Sequence, residues 1–583
     1  MSKSRRAFLR DGAITIAAVS LGGQGLLGCS DSPAALPDGQ QPDWPQPDGP
    51  VADGGTDAPT DISRDAATDS ALDATFAKRP DTTVRQRIQG VLPSKKQPAS
   101  NKQQWGVTQL VAGDLHLRQD LLQVDATATI ATGPPVSLFY AAHLTDLHII
   151  DEESPARTIN LDQLLSPAWR TQEAHGTQVL DAMLRKLHKL DAFRAFDCAL
   201  LTGDSIDNNQ KNELGWFLDV VGGKTVVPNS GDLEDPDSGP DNDPHDSFAA
   251  KGLGTIPWYV AMGNHDALIQ GNLPHGNLLG YSLITGDPTR DTVKQLDLGR
   301  VNNPTCNPIL TDEAQQPGRC IPTYPGQLKS GALTADKARV HLSRKEWVND
   351  LLYAPGLPGG HGLTNDNLSS GTADYVADPV PGLPLRLVVL DTTALATAAG
   401  AYGRVDSFLE PALLKAQQDE VLVVVVSHHY LDGIVGNSGD LRQTLNSFPN
   451  VIMHLVGHGH TNLVTPRPGV SPAHGYWEVQ TCSLIEWPQQ GRLIELVDRR
   501  DGTAEIWLTL TDFDTDHQPG GALAQASRFL ALYEVHSGAN GSGGDDEGDL
   551  GDRNVVLPVA VPQEVQKKLS ALPGQPIESM LFV

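Results

Sequence analysis

The stretch LFYAAHLTDLHIID, residues Leu138 to Asp151, decides how this chain folds. Its apolar first half has the length and composition of a buried β-strand. Asp146 and His148 follow where that apolar run stops. An Asp-x-His pair says little on its own, but here it is the first of five comparable pieces. The pattern predicts a strand that delivers polar side chains to one edge of a sheet.

Four further stretches repeat this arrangement, each with Asp, Asn or His directly after a β-branched apolar run. They are LLTGDSIDNN (Leu200–Asn209), YVAMGNHD (Tyr259–Asp266), VVVVSHHY (Val423–Tyr430) and HLVGHGHTN (His454–Asn462). We interpret the five pieces as one dinuclear metal site built from the ends of five strands. The candidate metal ligands are Asp146, His148, Asp204, Asn264, His428, His458 and His460.

This set of side chains suits two metal ions. Two cations ~4 Å apart repel each other and need an anionic bridge together with further donors. A carboxylate can form the bridge, and imidazoles and an amide oxygen can fill the remaining places. Such donors suit Zn, Mn or Fe better than Mg, which prefers oxygen and water. The ions lower the pKa of bound water, so a bridging hydroxide becomes available near neutral pH to attack phosphorus.

The ordered set D-x-H, G-D-x-x-[D/N], G-N-H-[D/E], H and G-H-x-H resembles the calcineurin-like metallophosphoesterase superfamily, over roughly residues 136–511. The resemblance implies an α/β (α+β) fold, a four-layer α/β/β/α sandwich of two mixed sheets with large loop insertions. It also implies a hydrolase, a phosphatase or phosphodiesterase acting on a small phosphoester. The alternative is an exported surface interaction module that keeps the fold with a vestigial site.

The same resemblance implies a role for each motif residue. The first metal would be bound by Asp146, His148 and His460, and the second by Asn264, His428 and His458. Asp204 would bridge the two ions. His265 would protonate the leaving oxygen or hold the phosphate, and Asp266 would orient His265.

Several polar residues near these motifs have more than one interpretation. In SHHY either histidine could be the ligand; we choose His428 and place His429 at the rim of the pocket, as a candidate substrate contact. Asn208 is a second candidate substrate contact. His143 and His454 lie inside strand patterns and are interpreted as core histidines. In SLIEWPQQ the polar residues either line the pocket or pack at a sheet edge; they are Glu486, Gln489 and Gln490.

A second Asp-x-His pair, Asp114 and His116, is predicted not to belong to the site. No comparably long buried-strand run precedes it. Arg118 follows closely, and its positive charge would oppose metal binding.

The net charge of −28 over 583 residues argues against general attraction to nucleic acid, so no specific nucleic-acid binding is expected. Much of the negative charge is local. Aspartate recurs between Asp31 and Asp73 with Arg64 as the opposing charge. This acidic segment is rich in Pro and Ala and poor in aromatic residues, so residues 30–80 are predicted to be a disordered linker. Oligomeric state is not predicted.

Residues 1–29 resemble a bacterial twin-arginine export signal, with Arg5 and Arg6 ahead of a weakly apolar run. The ending Leu26-Leu27-Gly28-Cys29 resembles a lipoprotein signal-peptidase box. We therefore expect Cys29 to carry a lipid that anchors an exported, periplasmic or cell-surface protein to a membrane.

The remaining chain is predicted to form a metallophosphoesterase domain over residues 81–535, followed by an acidic, Gly-rich tail at 536–583. Insertions are predicted at 209–255 and 267–337. Cys306 and Cys320 would close a disulfide loop in the second insertion, whereas Cys198 and Cys482 are interpreted as small buried residues. Helical periodicity predicts helices in AHGTQVLDAMLRKLHKLDAFRAF and HLSRKEWVNDLLYA. Residues 475–510 are predicted to form the consecutive strands of a second sheet.

Overall fold

The fold is a mixed α/β arrangement of two sheets and flanking helices. The computed structural model describes residues 82–84, 86–91, 107–124, 135–157, 170–231, 235, 238–239, 242–274, 292–293, 332–394, 397–435, 438–517, 520–537 and 546–576. The predicted signal, the predicted linker, Cys29, Cys306 and Cys320 lie outside these residues, and most of the second predicted insertion does too. None of the described helices is both long and apolar enough to cross a membrane.

The described strands are β1 (Gln86–Gly90), β2 (Thr108–Ala112), β3 (His116–Leu117), β4 (Val136–Leu144), β5 (Cys198–Thr202), β6 (Thr225–Val226), β7 (Phe248–Ala249), β8 (Trp258–Ala261), β9 (Thr292–Val293), β10 (Ala332–Leu333), β11 (Tyr375–Ala377), β12 (Leu385–Leu390), β13 (Leu422–Ser427), β14 (Val451–Val456), β15 (Leu463–Arg467), β16 (Tyr476–Gln480), β17 (Gln490–Asp498), β18 (Thr503–Asp512), β19 (Val555–Ala560) and β20 (Gln575–Pro576). The described α-helices are α1 (Gly176–Phe193), α2 (Lys211–Val221), α3 (Arg344–Leu352), α4 (Asn365–Ser370), α5 (Glu410–Gln418), α6 (Ser438–Ser447), α7 (Gly520–Ser537), α8 (Leu550–Arg553) and α9 (Gln563–Ser570).

The larger sheet has eight strands in the order β3-β19-β18-β17-β4-β5-β8, with β20 also paired to β4. Strands β4, β5 and β8 are parallel neighbours, and β17 joins them antiparallel to β4. The second sheet has six strands in the order β11-β12-β13-β14-β16-β15. Its centre, from β12 to β16, is parallel, and both of its edges are antiparallel. Both sheets are therefore mixed, as predicted.

Alternation along β13 shows how the layers stack. Val424 and Val426 belong to the main core, which also contains residues of β4 and β5. Val423 and Val425 belong to a second core that includes Leu413 of α5 and residues of α6. Because successive side chains of a strand point to opposite faces, one face of this sheet meets the other sheet and its far face meets helices. Helix α1, at the predicted position, packs on the eight-stranded sheet through Met183.

Three boundaries differ from the sequence predictions. The first predicted insertion begins with α2, a regular helix whose Leu214, Phe217 and Val220 are buried. The run is short, and the Gly- and Pro-rich residues after it obscure its period. Residues 475–510 do not form one second sheet, because β16 joins the six-stranded sheet whereas β17 and β18 join the eight-stranded one.

The predicted tail after residue 535 is also corrected. Strand β19 lies inside the eight-stranded sheet, between β3 and β18. Its residues Val555, Val556 and Leu557 are fully buried or nearly so. The composition of the preceding acidic, Gly-rich segment hid a strand that finds its partners only through the tertiary fold.

Candidate metal centre

The five sequence motifs meet at the carboxyl ends of five strands. In the larger sheet the ends of β4, β5 and β8 lead directly to Asp146, Asp204 and Asn264. In the smaller sheet the ends of β13 and β14 lead to His428 and His458. Parallel neighbours finish at the same sheet edge, and the two edges face each other across the site. The structure thus brings all seven predicted ligands together.

One half of the site contains Asp146, His148 and His460. The Nε2 atoms of the two histidines lie 3.2 Å apart. Asp146 Oδ1 lies 3.2 Å from His460 Nε2 and 3.9 Å from His148 Nε2. All three donors therefore face one small volume, and these three residues form one of the groups with metal-binding spacing. We call this group the first half-site.

The other half contains Asn264, His428 and His458, and we call it the second half-site. Asn264 Oδ1 lies 3.0 Å from His428 Nε2 and 3.1 Å from His458 Nδ1. Asp204 stands between the two half-sites. Its Oδ2 lies 3.1 Å from His428 Nε2 and 3.8 Å from His148 Nε2. This is the position that a bridging carboxylate requires.

The backbone at these positions is unusual. Left-handed φ angles occur at five of the seven predicted ligands: Asp146 (51°), His148 (44°), Asp204 (50°), His458 (66°) and His460 (55°). Left-handed backbone is costly for residues with a Cβ, and it collects at functional sites where the surrounding structure enforces it. These strained turns carry both Asp146 and His148 into the first half-site.

The charges in the site favour ionised carboxylates beside imidazoles. Burial opposes ionisation of Asp204, yet His428 and His265 hold its pKa well below the usual range. Burial favours a neutral His428, but Asp204 and Asp146 outweigh it and raise its pKa to about 9. Burial, followed by the nearby His265, lowers the pKa of His148 to about 4. These buried groups need compensating charge, which cations placed between them would supply.

The histidine nitrogens that point away from the site also agree with metal binding. Three of them lie beside oxygen acceptors: His148 Nδ1 at 2.8 Å from Asp207 Oδ1, His460 Nδ1 at 2.8 Å from Glu486 Oε2, and His428 Nδ1 at 2.8 Å from the Thr202 carbonyl. A nitrogen beside such an oxygen carries the proton and donates it. The Nε2 lone pair then faces into the site, as metal-ligating histidines require.

The residues behind the ligands were not predicted from the sequence. Asp207 contacts both His148 and His265, with Oδ1 3.1 Å from His265 Nδ1. Its position in G-D-x-x-D was a usable signal. Buried Arg157 and Arg170 bind Asp207, and no sequence pattern marks either arginine. Glu486, for which pocket lining was one interpretation, instead holds His460.

Three predicted site residues lie elsewhere than expected. Asp266 does not orient His265: it accepts hydrogen bonds from the backbone N–H groups of Ser205, Ile206 and Gly263. Asp207 takes that orienting place, because its carbonyl oxygen lies 3.0 Å from His265 Nδ1. Asp266 therefore braces the loops that carry the ligands.

The two candidate substrate contacts are buried. Asn208 is 0% exposed, and both its backbone and side-chain nitrogens donate to Glu213. His429 is also 0% exposed, with Nδ1 2.8 Å from Thr392 Oγ1 and Nε2 3.0 Å from the Ala398 carbonyl. Neither side chain lies at a pocket rim. Both corrections have the same cause, since adjacency in sequence does not say which way a loop turns.

The core assignments are confirmed. His143 lies 2.8 Å from Thr481 Oγ1 and 2.7 Å from Thr202 Oγ1, so both ring nitrogens have partners. His454 likewise lies between Ser427 and Glu478. Cys198 and Cys482 are free and fully buried, and burial raises the pKa of both thiols.

No protein-family model and no curated protein matches the sequence. Among solved structures, a dimetal phosphatase from Danio rerio shares 10% identity at a TM-score of 0.36, over 64% of this chain and 97% of that one. The purple acid phosphatase PPD1 from yellow lupin (Lupinus luteus) seeds shares 9% identity at a TM-score of 0.27, over 64% of this chain and 51% of that one. The sulfate thiohydrolase SoxB of Thermus thermophilus shares 13% identity at a TM-score of 0.28, over 69% of this chain and 61% of that one.

Proposed function

We propose that this chain is a metal-dependent phosphoester hydrolase, a phosphatase or phosphodiesterase with a dinuclear centre. The observation that supports it best is the convergence of seven donors from five strand ends, with Asp204 between the other six. Two half-sites, each with two imidazoles and one oxygen donor, lie on either side of that carboxylate. The nitrogen and oxygen donors suit two ions drawn from Fe, Mn or Zn.

Each ligand has a role in this proposal. Asp146, His148 and His460 would hold one ion, and Asn264, His428 and His458 the other. Asp204 would touch both. When bound, the ions would activate a water molecule and stabilise the charge that develops on the phosphoryl oxygens.

His265 is the group that would handle the leaving oxygen. Its Nε2 lies 3.9 Å from Asp204 Oδ2, on the side of the ligands, whereas its Nδ1 lies against Asp207. With Nδ1–H donating to Asp207, the ring presents its Nε2 toward the side where a substrate would lie. His265 therefore serves as the acid that protonates the departing oxygen, with Asp207 fixing the ring.

The location of the protein is part of the proposal and rests on the sequence. Residues 1–29 would direct export, Cys29 would carry the lipid, and residues 30–80 would tether the catalytic domain to a bacterial membrane. Labelling cells with a radioactive or clickable fatty acid tests it. The wild-type chain should incorporate label and Cys29→Ala should not.

The central experiment measures metal content and turnover on the purified full-length protein. We expect about two metal ions per chain and hydrolysis of generic aryl phosphate monoesters or diesters. Asp204→Asn should lose turnover together with metal, and His265→Ala should lose turnover while keeping metal. Two bound ions without turnover on any phosphoester would contradict the proposed hydrolase activity and favour the alternative, a surface interaction module. A protein that binds no metal would contradict both the dinuclear centre and the activity.

A further inference from the structure

Two carboxylate–histidine pairs stand behind the first half-site. Asp207 Oδ1 accepts from His148 Nδ1 at 2.8 Å, and Glu486 Oε2 accepts from His460 Nδ1 at 2.8 Å. A carboxylate in this position fixes the ring orientation and makes the inward Nε2 a better donor. The donor strength of the first half-site thus depends on how firmly Asp207 and Glu486 are held.

One side chain holds both of them. Arg170 donates from Nη1 to Asp207 Oδ1 at 3.2 Å and from Nε to Glu486 Oε1 at 2.6 Å. It precedes α1 in the sequence, 316 residues before Glu486. Arg170 is 2% exposed, so its charge is stabilised by these carboxylates rather than by water.

The second half-site is supported differently. His428 Nδ1 donates to the backbone carbonyl of Thr202, whose position is set by strand β5 itself. A backbone carbonyl in a sheet does not depend on a guanidinium for its orientation. The support of His428 therefore differs in kind from the supports of His148 and His460, both of which Arg170 contacts.

We propose that Arg170 is a positioning residue that sets metal affinity in the first half-site by fixing Asp207 and Glu486 together. The inference rests on the proposed dinuclear centre and concerns how one half of it is built. Removing the guanidinium leaves Arg157 as the arginine that binds Asp207 and takes the Arg170 ion pair away from Glu486. The alignment of His148 and His460 therefore loosens. The affinity of one metal falls and that of the other stays.

The test titrates Co²⁺ into metal-stripped full-length protein, followed by visible absorption and equilibrium dialysis. In Arg170→Met we expect one of the two binding steps to weaken by about 10- to 100-fold and the other to keep its wild-type affinity. The affinity of that weakened step in Arg170→Lys should lie between those of the wild type and Arg170→Met. A lysine keeps the charge but cannot donate to both carboxylates in the same fork geometry. Arg185→Met is the matched control, since Arg185 pairs with Asp181 on the same α1 region and is 31% exposed.

A second variant keeps the test decisive if Arg170→Met does not fold. Glu486→Gln preserves shape and should weaken the same single step, and combining it with Arg170→Lys should add little further loss. Thermal unfolding in chelator separates this effect from general destabilisation. Equal weakening of both steps, or no change in either, overturns the inference.

The outcomes for Arg170 and for the proposed function are separable. Wild-type protein that binds two Co²⁺ ions without hydrolysing any phosphoester would overturn the hydrolase alone, and the Arg170 comparison would still be decided by the binding curves. Wild-type protein that binds no ion would overturn both.

Discussion

The chain contains the triplet Asp-Leu-His twice, at residues 114–116 and 146–148, and only the second belongs to the candidate metal centre. In both copies the leucine is buried, Leu115 at 3% exposure and Leu147 at 2%. Neither the residues of the two triplets nor the burial of their leucines distinguishes one triplet from the other. The difference lies in what precedes each triplet and in the backbone that carries it.

The first triplet runs into β3, a two-residue strand at one edge of the eight-stranded sheet. His116 pairs with Val555 of β19 in the ordinary extended register. The second triplet follows nine residues of β4 in the interior of the same sheet. Asp146 and His148 both have left-handed backbone, whereas Asp114 and His116 are not among the described residues that do. The second triplet thus follows a long interior strand beside parallel β5, whereas the first runs into a two-residue strand at the far edge of the sheet.

The largest expected effect comes from deleting the same carboxylate in each triplet. Asp146→Ala removes a donor from the first half-site, so bound metal should fall and turnover should drop by about a thousandfold or more. Asp114→Ala should leave metal content and turnover at wild-type values. Metal analysis and aryl phosphate kinetics check both, and a loss of metal in the Asp114 variant would mean that the triplets are not distinguished by context.

The next largest effect is expected at His265, where a loss of proton transfer can be distinguished from a loss of metal. His265→Ala should lower kcat by about a hundredfold, because the leaving oxygen loses its proton donor, while both ions stay bound. His116→Ala is the control and should behave as wild type. If the His265 variant lost turnover on a substrate whose leaving group needs no proton by the same factor, His265 would instead act in phosphate binding.

A smaller effect follows from how closely the second triplet is packed. A Cβ at Gly457 would lie 2.0 Å from Thr145 Oγ1 and 2.6 Å from Asp146 Oδ2. Gly457→Ala should therefore displace Asp146 and weaken metal binding in the first half-site by about tenfold. Gly403→Ala is the matched control, since nothing lies within 4 Å of its added Cβ. Equal metal affinity in the two alanine variants would contradict this packing.

The comparison extends to His454, a histidine held in the core of β14. Glu478 Oε2 lies 3.2 Å from its Nδ1, and Glu478 Oε1 lies 2.5 Å from Arg467 Nη2. Burial would raise the pKa of Glu478, but His454 and Arg467 lower it from 4.5 to about 2. The folded state therefore binds this proton less readily than the unfolded state does.

The contribution of ionised Glu478 to the stability of the folded state is fully present above pH 4.5 and is lost as the pH falls toward 2. The contribution is on the order of 3 kcal/mol. Glu478→Gln should be less stable at neutral pH and lose less unfolding free energy between pH 5 and pH 2. Denaturant titrations across that range check it, with turnover at neutral pH expected to change little. An acid limb as steep as that of wild type would contradict the prediction.

Much of the metal centre was predictable because it obeys a rule that a sequence expresses. Residues just after parallel buried strands collect at one edge of a sheet, so Asp146, Asp204 and Asn264 could be grouped from the sequence. Loop direction obeys no such rule. His429 follows His428 directly, yet its ring points to Thr392, and Asp266 turns toward Gly263 rather than toward the ring of His265.

The fold divides in the same way. The hydrophobic periods of α1 and of the long apolar strands could be recognised in the sequence, because each of these elements is long enough for its period to repeat. Helix α2 and strand β19 were not, since one is short and the other follows a Gly-rich acidic segment. The assignment of β16 to one sheet and of β17 to the other depends on pairing between distant strands, which adjacent residues do not encode.

The sequence by itself determined which side chains could bind metal and that they would follow strand ends, because strand periodicity is a local consequence of residue type. The tertiary structure alone decided how those ligands are held. Arg170, Asp207 and Glu486 meet only when loops from different motifs are packed together, and a buried ion-pair network of that kind is a property of the assembled fold rather than of any one segment.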